Sequence, residues 1–195
     1  MTALDVAYNM VMTEPSDVFD HLPYFETLCE DLQATKIIEL GVRYGVSTVV
    51  WIKAMEKNGG HLWAVDGAAP VEEPTFHFDL LNPLMGLPQW TFVLGWDTEQ
   101  SVLDQLPTDV DILFIDTNHI YEETLVELDL YLPRVRPGGH ILLHDTAIET
   151  TGNAAPGQWQ PPFPVLTAVT EFCAERNLSF TNVEYCCGLG DISVP

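Results

Sequence analysis

The chain has 195 residues, of which 47% are hydrophobic, so it can bury a core as one domain and is not a disordered chain. Only 7 Lys plus Arg stand against 29 Asp plus Glu, and the formal net charge is −22. Clustered cations for tracking phosphates are lacking, so we expect no nucleic-acid partner. The acidity indicates a solvated surface or, alternatively, adaptation to high salt.

Targeting signals are not evident in the sequence. No apolar run reaches the roughly 18 residues of a membrane-spanning helix, and no signal peptide is recognisable. We therefore expect a cytoplasmic protein without a membrane partner. The four cysteines lack metal-ligand spacing and are expected to be reduced and structural, with Cys186 and Cys187 on alternate faces of a strand.

The first 35 residues are predicted to be a helical segment, because apolar residues recur at helical spacing between 16 and 32. Ser16 suits an N-cap, and Pro23 is expected to divide the segment into two short helices.

Apolar strands then alternate with helical patterns. The predicted strands are 36–40, 61–66, 90–95, 110–116 and 140–145, and the predicted helices are 46–57, 98–106, 121–135 and 163–177. Residues 179–186 and 190–194 are expected to add a terminal hairpin. This alternation predicts one α/β domain over 1–195, with a Rossmann-like, doubly wound, mostly parallel seven-stranded sheet and a C-terminal antiparallel hairpin.

Two segments, 67–89 and 146–162, are rich in proline and glycine and resist regular structure. Both follow strands whose carboxyl ends face the crevice in which open α/β sheets bind ligands. We interpret them as candidate lid loops, with ordinary surface excursions as the alternative.

The first strand leads into a glycine-containing turn with an acid beside it. Glu39 is followed by Gly41 and Gly45, which allow close backbone approach to a ligand, and Ser47 opens a helix. The middle glycine of a dinucleotide fingerprint is missing, and a carboxylate suits an ammonium better than a pyrophosphate. The second strand ends on Asp66, where folds of this kind bind ribose hydroxyls. A nucleoside that carries an amino-acid ammonium is S-adenosylmethionine.

This combination resembles the class I S-adenosylmethionine-dependent methyltransferases; an unrelated nucleotide-binding sheet is the alternative. The resemblance implies that the cofactor is bound by five residues, Glu39, Gly41, Gly45, Ser47 and Asp66. It also implies that Trp96 stacks on the adenine and that Asp97 accepts from its exocyclic amine. Core packing is the alternative role for Trp96.

A second group of polar residues ends the fourth and fifth strands. Asp116 and His119 follow one strand, and His144 and Asp145 end the next. Sequential parallel strands often neighbour each other, so these residues are expected to converge near the transferable methyl group. Two carboxylates and two imidazoles indicate a divalent-metal or acid–base site.

The pairing of "DTNHIY" with "PGGHILLHDT" resembles macrolide sugar O-methyltransferases and the cephalosporin hydroxylase/methyltransferase component. That resemblance implies Asp116 and Asp145 as ligands of Mg²⁺ or another divalent metal, and His119 as general base. His144 occupies the remaining ligand position, where those enzymes carry Glu, so metal identity and dependence stay open. Capping of the following helix is the alternative role for His119.

The sequence thus predicts an S-adenosylmethionine-dependent O-methyltransferase that acts on a hydroxyl of a small molecule or sugar. A non-catalytic S-adenosylmethionine-binding assembly partner is the alternative. The sequence does not identify the acceptor, and it leaves the oligomeric state open, a homo-oligomer included.

Overall fold

The computed structural model describes residues 1–67, 80–147 and 164–195, so most of both candidate lid loops lies outside the described residues. In these ranges the α-helices are α1 (Ala3–Val11), α2 (Leu22–Leu32), α3 (Val46–Asn58), α4 (Gln100–Leu103), α5 (Tyr121–Tyr131) and α6 (Val165–Arg176). The strands are β1 (Lys36–Leu40), β2 (His61–Asp66), β3 (Trp90–Leu94), β4 (Val110–Ile115), β5 (Val135–His144), β6 (Ser179–Val183) and β7 (Leu189–Ser193).

The strands form one seven-stranded sheet in the order β3-β2-β1-β4-β5-β7-β6. The first five strands pair in parallel, and β7 inserts antiparallel between β5 and β6. The predicted fold class is confirmed. Every residue of β4 is buried, as expected for a central parallel strand covered on both faces.

The core lies on both faces of this sheet. On one face Phe25 of α2 stacks on Trp51 of α3, with ring centroids 4.5 Å apart, and Phe114 of β4 joins them. On the other face Tyr131 of α5 and Phe172 of α6 are fully buried. The helices cover both faces of the sheet but not the edge formed by the carboxyl ends of the parallel strands, where the candidate site lies.

Helix α1 lies within the predicted N-terminal helical segment, although its bounds were not predicted separately. Its N-cap is Thr2, whose hydroxyl accepts from the backbone N–H of Asp5 while the Asp5 carboxylate accepts from the backbone N–H of Thr2. The predicted division near Pro23 is confirmed, since a short 3-10 helix at Phe19–His21 precedes α2, which begins at Leu22. Proline lies in the first turn of α2, where its missing N–H has no intrahelical partner to lose.

Two boundaries differ from the predictions. Helix α5 ends at Tyr131 instead of 135, and "PGG" at 137–139 lies inside the longer strand β5. Cys186 and Cys187 do not alternate along a strand. They occupy the turn between β6 and β7 with φ of 50° and 68°.

No helix in the described ranges combines the length and the apolar character that crossing a bilayer would require.

Candidate functional site at the carboxyl edge of the sheet

The turn after β1 passes very close to the end of β4. A Cβ placed on Gly41, whose φ is +86°, would lie 2.0 Å from the backbone carbonyl oxygen of Asp116. Gly45 is the N-cap of α3 with φ of +76°, and a Cβ there would overlap the side chain of Leu81. Both glycines are therefore required by the backbone path, which brings the predicted cofactor turn into contact with the second predicted cluster.

Asp66 closes this turn from the end of β2. Its Oδ2 accepts from the backbone N–H groups of Val42 and Arg43, at 2.9 and 3.0 Å. The carboxylate therefore fixes the backbone of the turn. Its predicted contact with ribose hydroxyls stays a prediction.

Glu39 lies beneath the turn and is fully buried. The Ser47 hydroxyl donates to Glu39 Oε1 at 2.6 Å, and burial raises the pKa of Glu39 to about 8. The acid thus joins the end of β1 to the first turn of α3 and favours its neutral form near neutral pH. Its contact with a cofactor ammonium, like the cofactor role of Ser47, stays a prediction.

The segment after β3 carries Trp96 and Asp97. The indole of Trp96 is exposed and lies against Gly67, whose added Cβ would approach the ring to 3.0 Å. Trp96 is therefore not a core residue, which disfavours the packing alternative. Asp97 is half-buried and faces Glu127 of α5.

Sequence reasoning missed Glu127. It is buried, accepts from the Thr117 hydroxyl at 2.6 Å, and has a pKa raised to about 9 by burial and by the neighbouring Asp97 carboxyl. Asp97 Oδ2 and Glu127 Oε2 are buried and have no hydrogen-bond partner among the described residues. Two facing carboxylates have only acceptors to offer each other, so a proton on one of them is needed to form a hydrogen bond. A signal was available, because the buried stripe of α5 is Thr124, Glu127, Leu128 and Tyr131, at helical spacing.

The predicted second cluster does come together. His119 Nε2 lies 2.7 Å from Asp145 Oδ2 and 3.3 Å from Asp116 Oδ1. Both His119 and Asp145 have φ of 60°, in the left-handed region that side chains other than glycine seldom adopt. Such strain persists where surrounding structure imposes it and is concentrated at functional sites.

His144 completes the cluster from the end of β5. Its Nε2 lies 3.1 Å from the carbonyl oxygen of Asp17 and 3.3 Å from that of Cys186. Carbonyl oxygens only accept, so Nε2 carries a hydrogen. The other ring nitrogen, Nδ1, points to Asp116 Oδ1 and Asp145 Oδ2, at 3.4 and 3.5 Å.

The electrostatics of this cluster are reciprocal. Burial opposes the charge on each group, but the imidazoles outweigh it and hold the pKa values of Asp116 and Asp145 below their usual range. The carboxylates likewise outweigh burial at the imidazoles. They raise the pKa of His119 to about 9 and that of His144 well above its usual value.

A cation fits this donor set. The ligand atoms of Asp116, His119 and Asp145 all lie within 4.8 Å of one another. His144 presents Nδ1 to the same carboxylates while backbone carbonyls hold its opposite nitrogen, which is the outer arrangement that metal-bound histidines usually have. Carboxylate with imidazole suits Mn²⁺, Fe²⁺ or Zn²⁺ better than Mg²⁺.

Comparison with known proteins identifies a related family. The family model described as a methyltransferase domain matches residues 38–146. An uncharacterized protein of Sinorhizobium fredii is 26% identical over 147 residues, which are 72% of this chain and 16% of the relative. A second, from Acanthamoeba polyphaga mimivirus, is 43% identical over 44 residues, which are 23% of this chain and 20% of the relative. The matches therefore span a fifth or less of these curated relatives.

Solved structures share the fold at low identity. The methyltransferase PaMTH1 of Podospora anserina, solved with S-adenosylhomocysteine, has a TM-score of 0.68 and 15% identity, covering 99% of this chain and 88% of that one. The O-methyltransferase TomG of Streptomyces achromogenes, solved with S-adenosylmethionine, has a TM-score of 0.64 and 18% identity, covering 98% and 89%. The Bacillus cereus O-methyltransferase, solved with S-adenosylhomocysteine, has a TM-score of 0.62 and 17% identity, covering 98% and 88%.

Proposed function

Because this chain belongs to the methyltransferase-domain family, we propose that it transfers the methyl group of S-adenosylmethionine to a hydroxyl oxygen of a small molecule or sugar. The observation that carries the proposal is the contact between the two halves of the site. Gly41 of the cofactor turn lies against the backbone of Asp116, which opens the acid–imidazole cluster. A methyl donor at the turn would therefore lie beside groups able to bind and deprotonate an acceptor.

The cofactor would lie along the ends of β1, β2 and β3. Asp66 suits the ribose hydroxyls, and the exposed indole of Trp96 suits an adenine face, with Asp97 next to it. The bound cofactors of PaMTH1 and TomG, which share this fold, support the assignment.

The transfer itself balances simply. The acceptor oxygen forms a bond to the methyl carbon, the bond from that carbon to sulfur breaks, and S-adenosylhomocysteine leaves. His119 Nε2 takes the hydroxyl proton. The fixed cluster supplies positioning, so that oxygen, carbon and sulfur lie in line.

Asp116, His144 and Asp145 would hold a divalent cation. His119 Nε2 faces the same carboxylates and would stay uncoordinated, so that its lone pair is available to the acceptor hydroxyl. A bound cation would lower the pKa of the acceptor hydroxyl and orient it. Carboxylates engaged with a cation stabilise an imidazolium less. Neutral His119 would then be available as a base near neutral pH, although the carboxylates alone raise its pKa to about 9.

The test is a methyl-transfer assay with labelled S-adenosylmethionine across hydroxyl-bearing sugars and phenols, with and without chelator. We expect calorimetric binding of S-adenosylhomocysteine, transfer to at least one acceptor, and loss of transfer after chelation. Transfer that survives exhaustive chelation would contradict the metal. Cofactor binding without transfer to any acceptor would favour the non-catalytic assembly partner.

A further inference from the structure

We propose that Cys187 is a thiolate ligand of the cation at the ends of β4 and β5, so that the site is a mixed sulfur, nitrogen and oxygen centre selective for Zn²⁺ or Co²⁺ over Mg²⁺. The inference rests on the metal site of the proposed function and adds a ligand to it. It reverses the expectation that all four cysteines are structural.

The first observation is the convergence of three different ligand types. The ligand atoms of His144, Asp145 and Cys187 all lie within 4.8 Å of one another. Ligands around a tetrahedral ion, with bonds of about 2.0–2.3 Å, stand about 3.3–3.8 Å apart, so side-chain shifts of about an ångström or less suffice. His144 and Asp145 also face Asp116, so the thiol joins the same cluster.

The second observation is independent of the cysteine. The side chain of His144 is 1% exposed, and its Nδ1 has no hydrogen-bond partner among the described residues, although carboxylate oxygens lie 3.4 and 3.5 Å away. A ring held through Nε2–H by two carbonyls turns Nδ1 towards those oxygens. A positive charge belongs between them, either as the proton of an imidazolium or as a divalent cation bound by Nδ1 in its place.

The backbone holds Cys187 in this position. Its carbonyl accepts from the N–H of Ala147 at 2.9 Å, two residues beyond Asp145. A Cβ on the next residue, Gly188, would lie 2.3 Å from the Ala147 nitrogen, so only glycine allows the turn to pack against this strand end. Cys187 itself has φ of 68°, a strained value that the packed turn imposes.

The neighbouring cysteine provides a matched control. The thiol of Cys186 donates to the backbone carbonyl of Asp17 at 2.9 Å, and Cys186 is in neither of the two candidate ligand groups of the described residues. The two adjacent thiols therefore have different surroundings. A soft thiolate selects Zn²⁺ or Co²⁺ over Mg²⁺, which prefers oxygen ligands.

The test is a Co²⁺ titration followed by absorption and by equilibrium dialysis on wild type, Cys187→Ser and Cys186→Ser. Wild type and Cys186→Ser should show a near-ultraviolet sulfur-to-cobalt charge-transfer band. Cys187→Ser should lack the band and bind Zn²⁺ at least about tenfold more weakly, since even outer-sphere partners change affinity by 10–100-fold. X-ray absorption at the zinc edge of the wild type should show sulfur at about 2.3 Å from zinc. This measurement does not depend on whether a variant folds.

The outcomes separate the two levels of the proposal. Bound Co²⁺ without the band, or zinc with only nitrogen and oxygen neighbours, overturns Cys187 as a ligand and leaves the metal site intact. A band that is lost in Cys186→Ser and kept in Cys187→Ser also overturns the assignment. A wild type that binds no Co²⁺ overturns the metal site on which the inference rests, while cofactor binding at the turn can persist.

Discussion

The carboxylates at the ends of β1 and β2 differ from those at the ends of β4 and β5 in the groups that they face. At β1 and β2, Glu39 and Asp66 accept from fixed neutral donors, a hydroxyl and two backbone N–H groups. At β4 and β5, Asp116 and Asp145 face imidazoles. The acids of the first half therefore accept from donors that carry no charge, whereas those of the second half face groups whose own charge depends on a proton.

The pKa shifts show what decides between these states. Burial without a cationic partner raises the pKa of Glu39 to about 8. Burial is also the largest influence on Asp116, but His144 and His119 reverse it and its pKa falls. A buried acid at this edge is thus neutral or charged according to whether an imidazole faces it.

The largest expected effect comes from removing an imidazole at the ends of β4 and β5. His119→Ala should lower turnover by about 10²–10⁴-fold, the usual contribution of a general base, and leave affinity for S-adenosylhomocysteine unchanged. The base must be neutral, so the wild-type rate should rise with pH through the pKa of His119, and this rise should vanish in the variant. Steady-state rates across pH and calorimetry measure both.

A control for His119→Ala is His140→Ala, which removes another imidazole paired with a carboxylate, Asp191 at 2.7 Å, four residues before His144. It should spare turnover. If His119→Ala turns over within a few-fold of wild type and melts at a lower temperature, His119 stabilises the fold through Asp116 and Asp145 and is not the base. The predicted capping role has no support in the structure, since α5 is capped by Ile120 without a side-chain hydrogen bond.

A smaller effect should follow from breaking the other half. Asp66→Ala removes an acceptor of two backbone N–H groups and the predicted ribose contact. We expect affinity for S-adenosylhomocysteine to fall by about 1.5–3 kcal/mol, the range for a hydrogen bond to a charged group, measured by calorimetry.

Asp111→Ala is the matched control, since Asp111 accepts from the backbone N–H groups of Thr35 and Lys36, at 2.7 and 2.9 Å, at the opposite edge of the sheet. It should lower stability and keep cofactor affinity. Equal affinity of Asp66→Ala and wild type would remove Asp66 from the cofactor site.

The last test sharpens the comparison through Glu127, whose named neighbours are Asp97, Thr117 and Glu123 and include no imidazole. Its pKa rises from 4.5 to about 9 on folding, so the folded state binds more protons between these values and stability falls as pH rises. The slope is at most about 1.4 kcal/mol per pH unit for one group. Glu127→Gln keeps a donor towards Asp97 and should remove this part of the slope in urea unfolding from about pH 5 to 9.

Glu122→Gln changes an exposed acid of the same helix that is not among the neighbours named for Glu127, and it should leave the slope as in wild type. If the free energy of unfolding changes with pH equally in wild type and Glu127→Gln, then Glu127 does not take up a proton on folding.

The strand ends were predictable because parallel strands present their carboxyl ends at one edge. This rule located Glu39, Asp66, Asp116 and Asp145 from apolar runs alone. Glu127 was missed because a carboxylate in an amphipathic helix is usually on the solvent face, although Glu127 lies in the buried stripe. Cys187 was missed for a different reason, since its position depends on the turn between β6 and β7 packing against the end of β5.

The partners of His144 could not be predicted either, because they are carbonyls of Asp17 and Cys186, 127 and 42 residues away. Backbone acceptors have no residue type that a sequence pattern can reveal. Only the tertiary arrangement determines which ring nitrogen carries the hydrogen.

The positions of these two carbonyls in the chain also determine when the surroundings of His144 are complete during synthesis. A nascent chain that stops before β6 already contains the five parallel strands and Asp17, but it lacks the Cys186 carbonyl that helps hold His144. The Nε2–H of His144 would then have only the Asp17 carbonyl as acceptor. The proposed cation site would therefore be completely assembled only after the last hairpin has folded against β5.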